Sequence, residues 1–194
     1  MSVVMPMPLG RPKPPHWTGE AFDRATAAGV FDAHRVELIE GQLLEMPAMN
    51  EPHALAVQMG TYLLMKTFPP DRFTVRVQLP MALGESRPLP DFVILNGPPA
   101  QNFRNPATAM LVIEVSDTTL DYDQVDKGEL YAMHGLPEYW IVNLGARCLE
   151  VRRKPQGVGH AGARYDQITI HAEGETAAPL GAADCKIAVG GLLG

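Results

Sequence analysis

Pro90-Asp91-Phe92-Val93-Ile94-Leu95 and Met110-Leu111-Val112-Ile113-Glu114-Val115 are two short apolar runs, separated by the turn-rich stretch 96–108. β-Branched and aromatic residues bounded by Asn, Gly and Pro read as strands, and two such runs in succession predict an antiparallel hairpin. If the pairing is centred on the loop near Asn102 and Phe103, Asp91 faces Glu114, with Val93 and Val112 next along the same face. Facing residues hold their Cβ atoms roughly 4.5–5.5 Å apart. Two carboxylates at that range repel each other unless a cation answers them.

The chain has 194 residues, 46% of them apolar and 20% charged, which is ordinary globular composition with enough material for one core. Its net charge of −6 argues against coating nucleic acid by bulk electrostatics, although a local basic groove remains open. Cys148 and Cys185 are far apart and lack metal-ligand spacing, so they read as free thiols of a reducing compartment. No apolar run reaches the roughly 18–20 residues of a membrane span, and the start lacks the apolar core of a signal peptide. The expectation is a cytoplasmic protein.

Along the chain, residues 1–16 are rich in proline and read as a flexible arm, with a single domain over 17–194. Thr18 is a candidate N-cap for a helix that reaches about Ala28 and stops at Gly29, with Phe22 and Ala25 inward. Gly41 marks a tight hairpin between 36–40 and 42–46. Pro52 suits the first turn of a helix in which Leu55, Met59, Tyr62, Leu63 and Lys66 recur at helical spacing, the stripe expected to lie on the sheet. Strands follow at 73–80 and in the carboxylate hairpin, then a helix from about Asp123 to His134. Further strands are expected at 139–142, 148–152, 165–170 and 187–189. The order predicts an α+β fold, a mixed, mainly antiparallel sheet flanked by helices with extra β-hairpins.

Lys127 shares one helical stripe with Leu130, Tyr131 and His134, which turns it inward. One reading is a stem lying along apolar surface with its ammonium in solvent. The other is a charge that answers the two carboxylates at the end of the preceding strand, holding them ionised from within ~4–6 Å.

The succession Val36-Glu37-Leu38-Ile39-Glu40-Gly41, His53 opening a helix, Pro90-Asp91, Val112-Ile113-Glu114-Val115-Ser116, Lys127, and Tyr131-Ala132 through Gly135, Pro137-Glu138-Tyr139-Trp140-Ile141-Val142 resembles the Uma-type restriction endonuclease family of the PD-(D/E)XK nuclease superfamily. The similarity runs in order from about Trp17 to Arg152, and Gly191-Leu192-Leu193-Gly194 resembles the family's ending. It implies a restriction-endonuclease-like core in which Asp91 and Glu114 bind Mg²⁺ or Mn²⁺, with the Val115 carbonyl as a further ligand. Hard divalent cations of this kind take oxygen donors. The superfamily's lysine belongs two positions after the acid, where this chain has Ser116. The resemblance therefore implies that Lys127 supplies it from the following helix.

The implied reaction is hydrolysis of DNA phosphodiester bonds by an activated water, with Lys127 orienting that water or steadying the charged phosphorane. Glu37 is a candidate to complete the metal's surroundings, in competition with Glu40 and Glu45, and one exposed hairpin acid is its other reading. His53 either hydrogen-bonds an acid or the phosphate, or is a satisfied structural histidine. Asp117, Asp121, Asp123 and Asp126 lack calcium-loop spacing and read as helix-start acids, Asp117 remaining a minor option near the site. Tyr139 and Trp140 read as core. Arg147, Arg152, Arg153 and Lys154 form the densest basic patch, either a phosphate contact or a solvated hairpin. No separate organic-cofactor site is expected, DNA is the expected partner, and a homodimer is the simplest way to cut two strands. The alternatives are a non-catalytic DNA- or partner-binding module on a nuclease scaffold, and a phosphodiesterase acting on another nucleic acid or a small phosphodiester.

Overall fold

The computed structural model describes residues 14–102 and 104–194, so most of the proline-rich arm expected over 1–16 lies outside the described residues. Thr18 caps α1 (Gly19–Ala27) by accepting from the Ala21 amide, and Gly29 follows it at φ 78°. The hairpin β1 (Val36–Ile39) and β2 (Gln42–Glu45) turns on Glu40 and Gly41, both at positive φ (46° and 80°), which is the geometry of a two-residue turn matched to strand twist. Asn50 caps α2 (Glu51–Thr67) through the His53 amide.

Six strands form the central sheet: β3 (Phe73–Val77), β4 (Phe92–Asn96), β5 (Leu111–Ser116), β6 (Glu138–Asn143), β7 (Cys148–Gln156) and β8 (Arg164–Ala172), in spatial order β3-β4-β5-β6-β7-β8. Every neighbour is antiparallel except β5 and β6, which run parallel. A parallel pair needs a crossover, and here it is helical: α3 (Leu120–Tyr122), a π turn (Asp123–Lys127) and α4 (Gly128–Met133). The helix expected from about Asp123 thus begins earlier and contains a wider turn that helical periodicity does not announce. A small sheet of β9 (Thr176–Ala177) and β10 (Ile187–Ala188) precedes α5 (Gly190–Leu193).

Apolar layers cover both faces of the sheet. On one, α2 and α5 pack Ala56, Leu64, Leu192 and Leu193 against Phe92, Ile113 and Trp140. On the other, Leu130, Tyr131 and Leu136 meet Val93, Val112, Tyr139 and Ile141. Strands covered on both sides read as continuous apolar runs, which is why β4, β5 and β6 were legible. Tyr139 and Trp140 are wholly buried, as expected of core residues.

α2 does lie on the sheet, but not on the expected stripe. Its buried residues are Ala56, Val57, Gly60 and Leu64, whereas Leu55, Met59 and Tyr62 face out, Tyr62 being 64% exposed. Close approach decides this: a Cβ on Gly60 would come within 2.8 Å of the Phe92 ring, so the small-residue face is the one that fits. Among the described residues no helix is long and apolar enough to cross a membrane.

Candidate active site

The β4–β5 register pairs Phe92 with Ile113, Val93 with Val112 and Ile94 with Leu111, and one step further along it Asp91 meets Glu114. The two acids are joined through the backbone as well. The Asp91 amide donates to Glu114 Oε2 at 3.1 Å, and the Val115 amide donates to Asp91 Oδ2 at 2.9 Å. Each carboxylate is therefore anchored by the opposite strand, and both are buried.

Lys127 reaches them from the end of the π turn. Its Nζ lies 2.8 Å from Glu114 Oε1 and 2.8 Å from Glu37 Oε1, and the residue is 2% exposed. The reading with the ammonium in solvent is thereby overturned: this charge stays inside because two carboxylates replace its water. Glu37 comes from the separate β1–β2 hairpin, which docks through backbone bonds between Leu38 and Arg87. Its Oε1 also accepts the Leu89 amide at 2.7 Å, and the Tyr122 hydroxyl approaches Oε2 at 3.3 Å. Glu40 and Glu45, the competing acids of that hairpin, are solvent-exposed, and Glu45 pairs with His34.

His53 sits in the first turn of α2, with Nε2 3.2 Å from Asp91 Oδ2 and a buried Nδ1 that has no partner among the described residues. It therefore contacts an acid of the site. Gln78 completes the surroundings of Asp91, donating from Nε2 to Oδ1 at 3.1 Å, while Arg35 stands 3.7 Å from the same oxygen. The Tyr131 hydroxyl donates to Glu114 Oε1 at 2.7 Å. Asp117 lies on the rim, bonded to Asn50 at 2.5 Å. Asp123 is not a helix-start acid in solvent: it is buried in the π turn and accepts from Thr119.

Burial sets the electrostatics, and neighbours then decide each sign. Glu114 is pushed up to about 7 by burial, reinforced by the charges of Asp91, Asp123 and Glu37 and opposed by Lys127. Burial works against a charged Lys127, but Glu114 and Glu37 outweigh it and hold the ammonium above the ordinary lysine range. Burial would raise Asp91 too, yet His53, the Val115 amide and Gln78 bring it below the usual carboxylate value. His53 is raised in turn: burial disfavours its charge, and the bond to Asp91 prevails.

A small cleft of about 50 Å³ opens onto this group, lined by Arg35, Glu37, His53, Asp91, Glu114, Val115 and Lys127 among others. Its acidic donors are oxygen atoms, which suit a hard divalent cation. Among the described residues no set of three or more His, Cys, Asp or Glu side chains is arranged to hold an ion. A cation here would rest on the Asp91–Glu114 pair and keep most of its water, the usual habit of Mg²⁺.

The sequence brought Asp91, Glu114, Val115, Glu37, His53 and Lys127 to one place, and they line one cleft. It missed Gln78, Arg35 and Tyr122, which sit on strand ends or in a short helix without a recurring pattern. Tyr131 carried a usable signal, standing one α-helical turn beyond Lys127. The basic patch dissolves in three dimensions, since Arg147 pairs with Glu173, Arg152 with Glu150 and Arg153 with Glu138, leaving Lys154 on the exposed surface.

Among curated proteins none matches this chain. Among solved structures, a chain described as "a putative nuclease belonging to DUF820 from Anabaena variabilis ATCC 29413" superposes with a TM-score of 0.68 at 14% identity, over 91% of this chain and 97% of that one. At that identity the likeness speaks for the fold alone. A family model described as "Uma2: Putative restriction endonuclease" matches residues 20–190. With that match over most of its length, and with the acid pair and lysine assembled as described, the chain belongs to the Uma2 family.

Proposed function

We propose that the protein is an endonuclease that hydrolyses DNA phosphodiester bonds with the help of Mg²⁺ or Mn²⁺. The observation that carries this reading is the buried Lys127 ammonium held between Glu37 and Glu114 beside Asp91, at the floor of an open cleft. Asp91 and Glu114 would hold the ion, with the Val115 carbonyl as a further oxygen donor. When bound, such an ion lowers the pKa of a water ligand and neutralises charge on the phosphate oxygens.

The chain's own residues supply the rest. Lys127 is fixed by two acids, so it meets the developing phosphorane charge without reorganising, which is where an electrostatic group is most effective. Glu37 holds that lysine from the side opposite Glu114. His53 and Gln78 fix the two oxygens of Asp91, leaving the carboxylate no rotational freedom. Arg35 at the cleft wall offers a phosphate contact.

The same reading makes the protein a cytoplasmic one and favours a homodimer, two copies being the simplest way to cut both strands of a duplex. Its test is nicking of supercoiled plasmid with Mg²⁺ or Mn²⁺, by the wild type and by Asp91→Asn and Lys127→Ala proteins. Loss of nicking in both variants is expected. A second reading, a non-catalytic DNA- or partner-binding module on the same scaffold, is motivated by the net charge of −6 and the modest basic patches. Metal-independent DNA binding without cleavage would favour it, and hydrolysis of small diesters or RNA but not of DNA would reassign the substrate.

A further inference from the structure

The π turn between α3 and α4 is the structural anomaly closest to the site. Four residues along an α-helix overshoot a full revolution by about 40°, so side chains at 123, 127 and 131 in a plain α-helix would drift round the axis. A π turn takes more residues per revolution. Its step from 123 to 127 falls short where an α step overshoots, and the α step from 127 to 131 restores the line. Asp123, Lys127 and Tyr131 are accordingly all buried, two of them bonded to Glu114.

A wider turn disturbs the regular ladder and sends carbonyl groups elsewhere for partners. Two carbonyls of this segment accept from the sheet. The Tyr139 hydroxyl on β6 donates to the Asp123 carbonyl at 2.9 Å, and Arg152 on β7 donates from Nη1 to the Gln124 carbonyl at 2.8 Å. Arg152 is itself fixed by Glu150 at 2.8 Å, and Glu150 accepts from the Gln124 side chain at 2.7 Å. Tyr139, Glu150 and Arg152 are buried and lie outside the cleft lining, and none of the three has a part in the reaction described above.

We infer that Tyr139 and Arg152 are positioning residues: by holding the Asp123 and Gln124 carbonyls they keep the π turn wound, and through it they set Lys127 between Glu37 and Glu114. The inference rests on the nuclease reading for its consequence in catalysis, and on geometry alone for the placement of the lysine. Without the two donors the turn loses its anchor on the sheet, and the Lys127 ammonium loses its fixed place between the acids.

The test is amine acylation of the intact protein, read site by site by mass spectrometry, in Tyr139→Phe and in the Glu150→Gln/Arg152→Met double variant. Tyr139→Phe keeps the ring, which packs edge-on against Tyr131 at 4.9 Å, and removes only the donor. The double variant removes both charges, so no lone buried ion is left behind. Wild-type Lys127 should resist labelling while exposed Lys66 and Lys154 react. In the variants, labelling at Lys127 should rise by about 10-fold or more with near-UV circular dichroism retained. Plasmid cleavage should lose about 10- to 100-fold in kcat at unchanged KM, the scale of a misplaced catalytic group.

Lys127 protected as in the wild type in either folded variant overturns the inference, and so does a rise in labelling that merely follows loss of the near-UV signal. A wild-type protein that never cuts, with Lys127 released in both variants, leaves the positioning role standing and removes the nuclease reading instead.

Discussion

At the scale of single residues, the site is a set of charges that tolerate burial only together. Removing one member of a buried ion pair leaves its partner uncompensated, at a cost of about 3–5 kcal/mol. Lys127→Met strands both Glu37 and Glu114, so it should lower unfolding free energy by roughly that amount in urea titrations as well as abolish cleavage. Asp91→Asn keeps the shape and should be far milder in stability while equally inactive. His53 gives a separate handle through pH. Its folded-state pKa is raised above the ordinary 6.5, so the stability it contributes is fully present below that value and is lost as pH rises through the raised one. In chelator, the stability difference between the wild type and His53→Gln should therefore be largest below pH 6.5, about 1.5–3 kcal/mol for a bond to a charged partner, and should shrink as pH rises above the raised value. Glu114 also titrates within this range and its charge helps to raise His53, so the two titrations are coupled and the difference reports on the pair. A difference that grows with pH would refute the assignment.

At the scale of elements, what was legible depended on whether a pattern had one solution. The β4–β5 register had one: a shift by a single residue would turn every side chain to the other face, and the Asp91–Glu114 pairing followed. α2 had two. Apolar residues lie on both of its sides, so spacing alone could not say whether Leu55, Met59 and Tyr62 or Ala56, Gly60 and Leu64 met the sheet. Depth of packing chose the smaller set. The π turn had no signature, because no residue type in 123–127 marks a wider turn, and β9, two residues long, is below the length at which alternation means anything. The α2 assignment is testable. Leu64→Ala should cost about 2–5 kcal/mol, whereas Met59→Ser and Tyr62→Ser should stay within about 0.5 kcal/mol, as ordinary surface changes do. Gly60→Ala discriminates further. Alanine in a helix is normally favoured by about 1 kcal/mol, yet the 2.8 Å approach to the Phe92 ring opposes it, so this variant should melt below the wild type rather than above it.

At the scale of the whole molecule, the charge balance constrains how DNA could be held. The chain carries 16 Lys and Arg against 22 Asp and Glu, and many of its arginines are already paired: Arg24, Arg72, Arg87, Arg147, Arg152, Arg153 and Arg164 each have an acid within 3.2 Å. A duplex bound mainly by basic residues releases a counterion for every phosphate neutralised, and log K then falls with log salt at a slope of about −0.9 per contact. Among the described residues few cations are free to make such contacts, so binding should lean on the cleft itself, on Arg35, His53 and the metal that Asp91 and Glu114 are proposed to hold. Two consequences follow for the Asp91→Asn and wild-type proteins measured by fluorescence anisotropy with a labelled duplex. The wild type should show a shallow salt slope, of magnitude about 3 or less, and its affinity should fall when the divalent ion is chelated. Asp91→Asn should bind weakly whether the ion is present or not. A slope near −6 or steeper, unchanged by chelation, would mean that an extended basic surface carries the DNA, and the acid-centred picture of substrate binding would have to be given up.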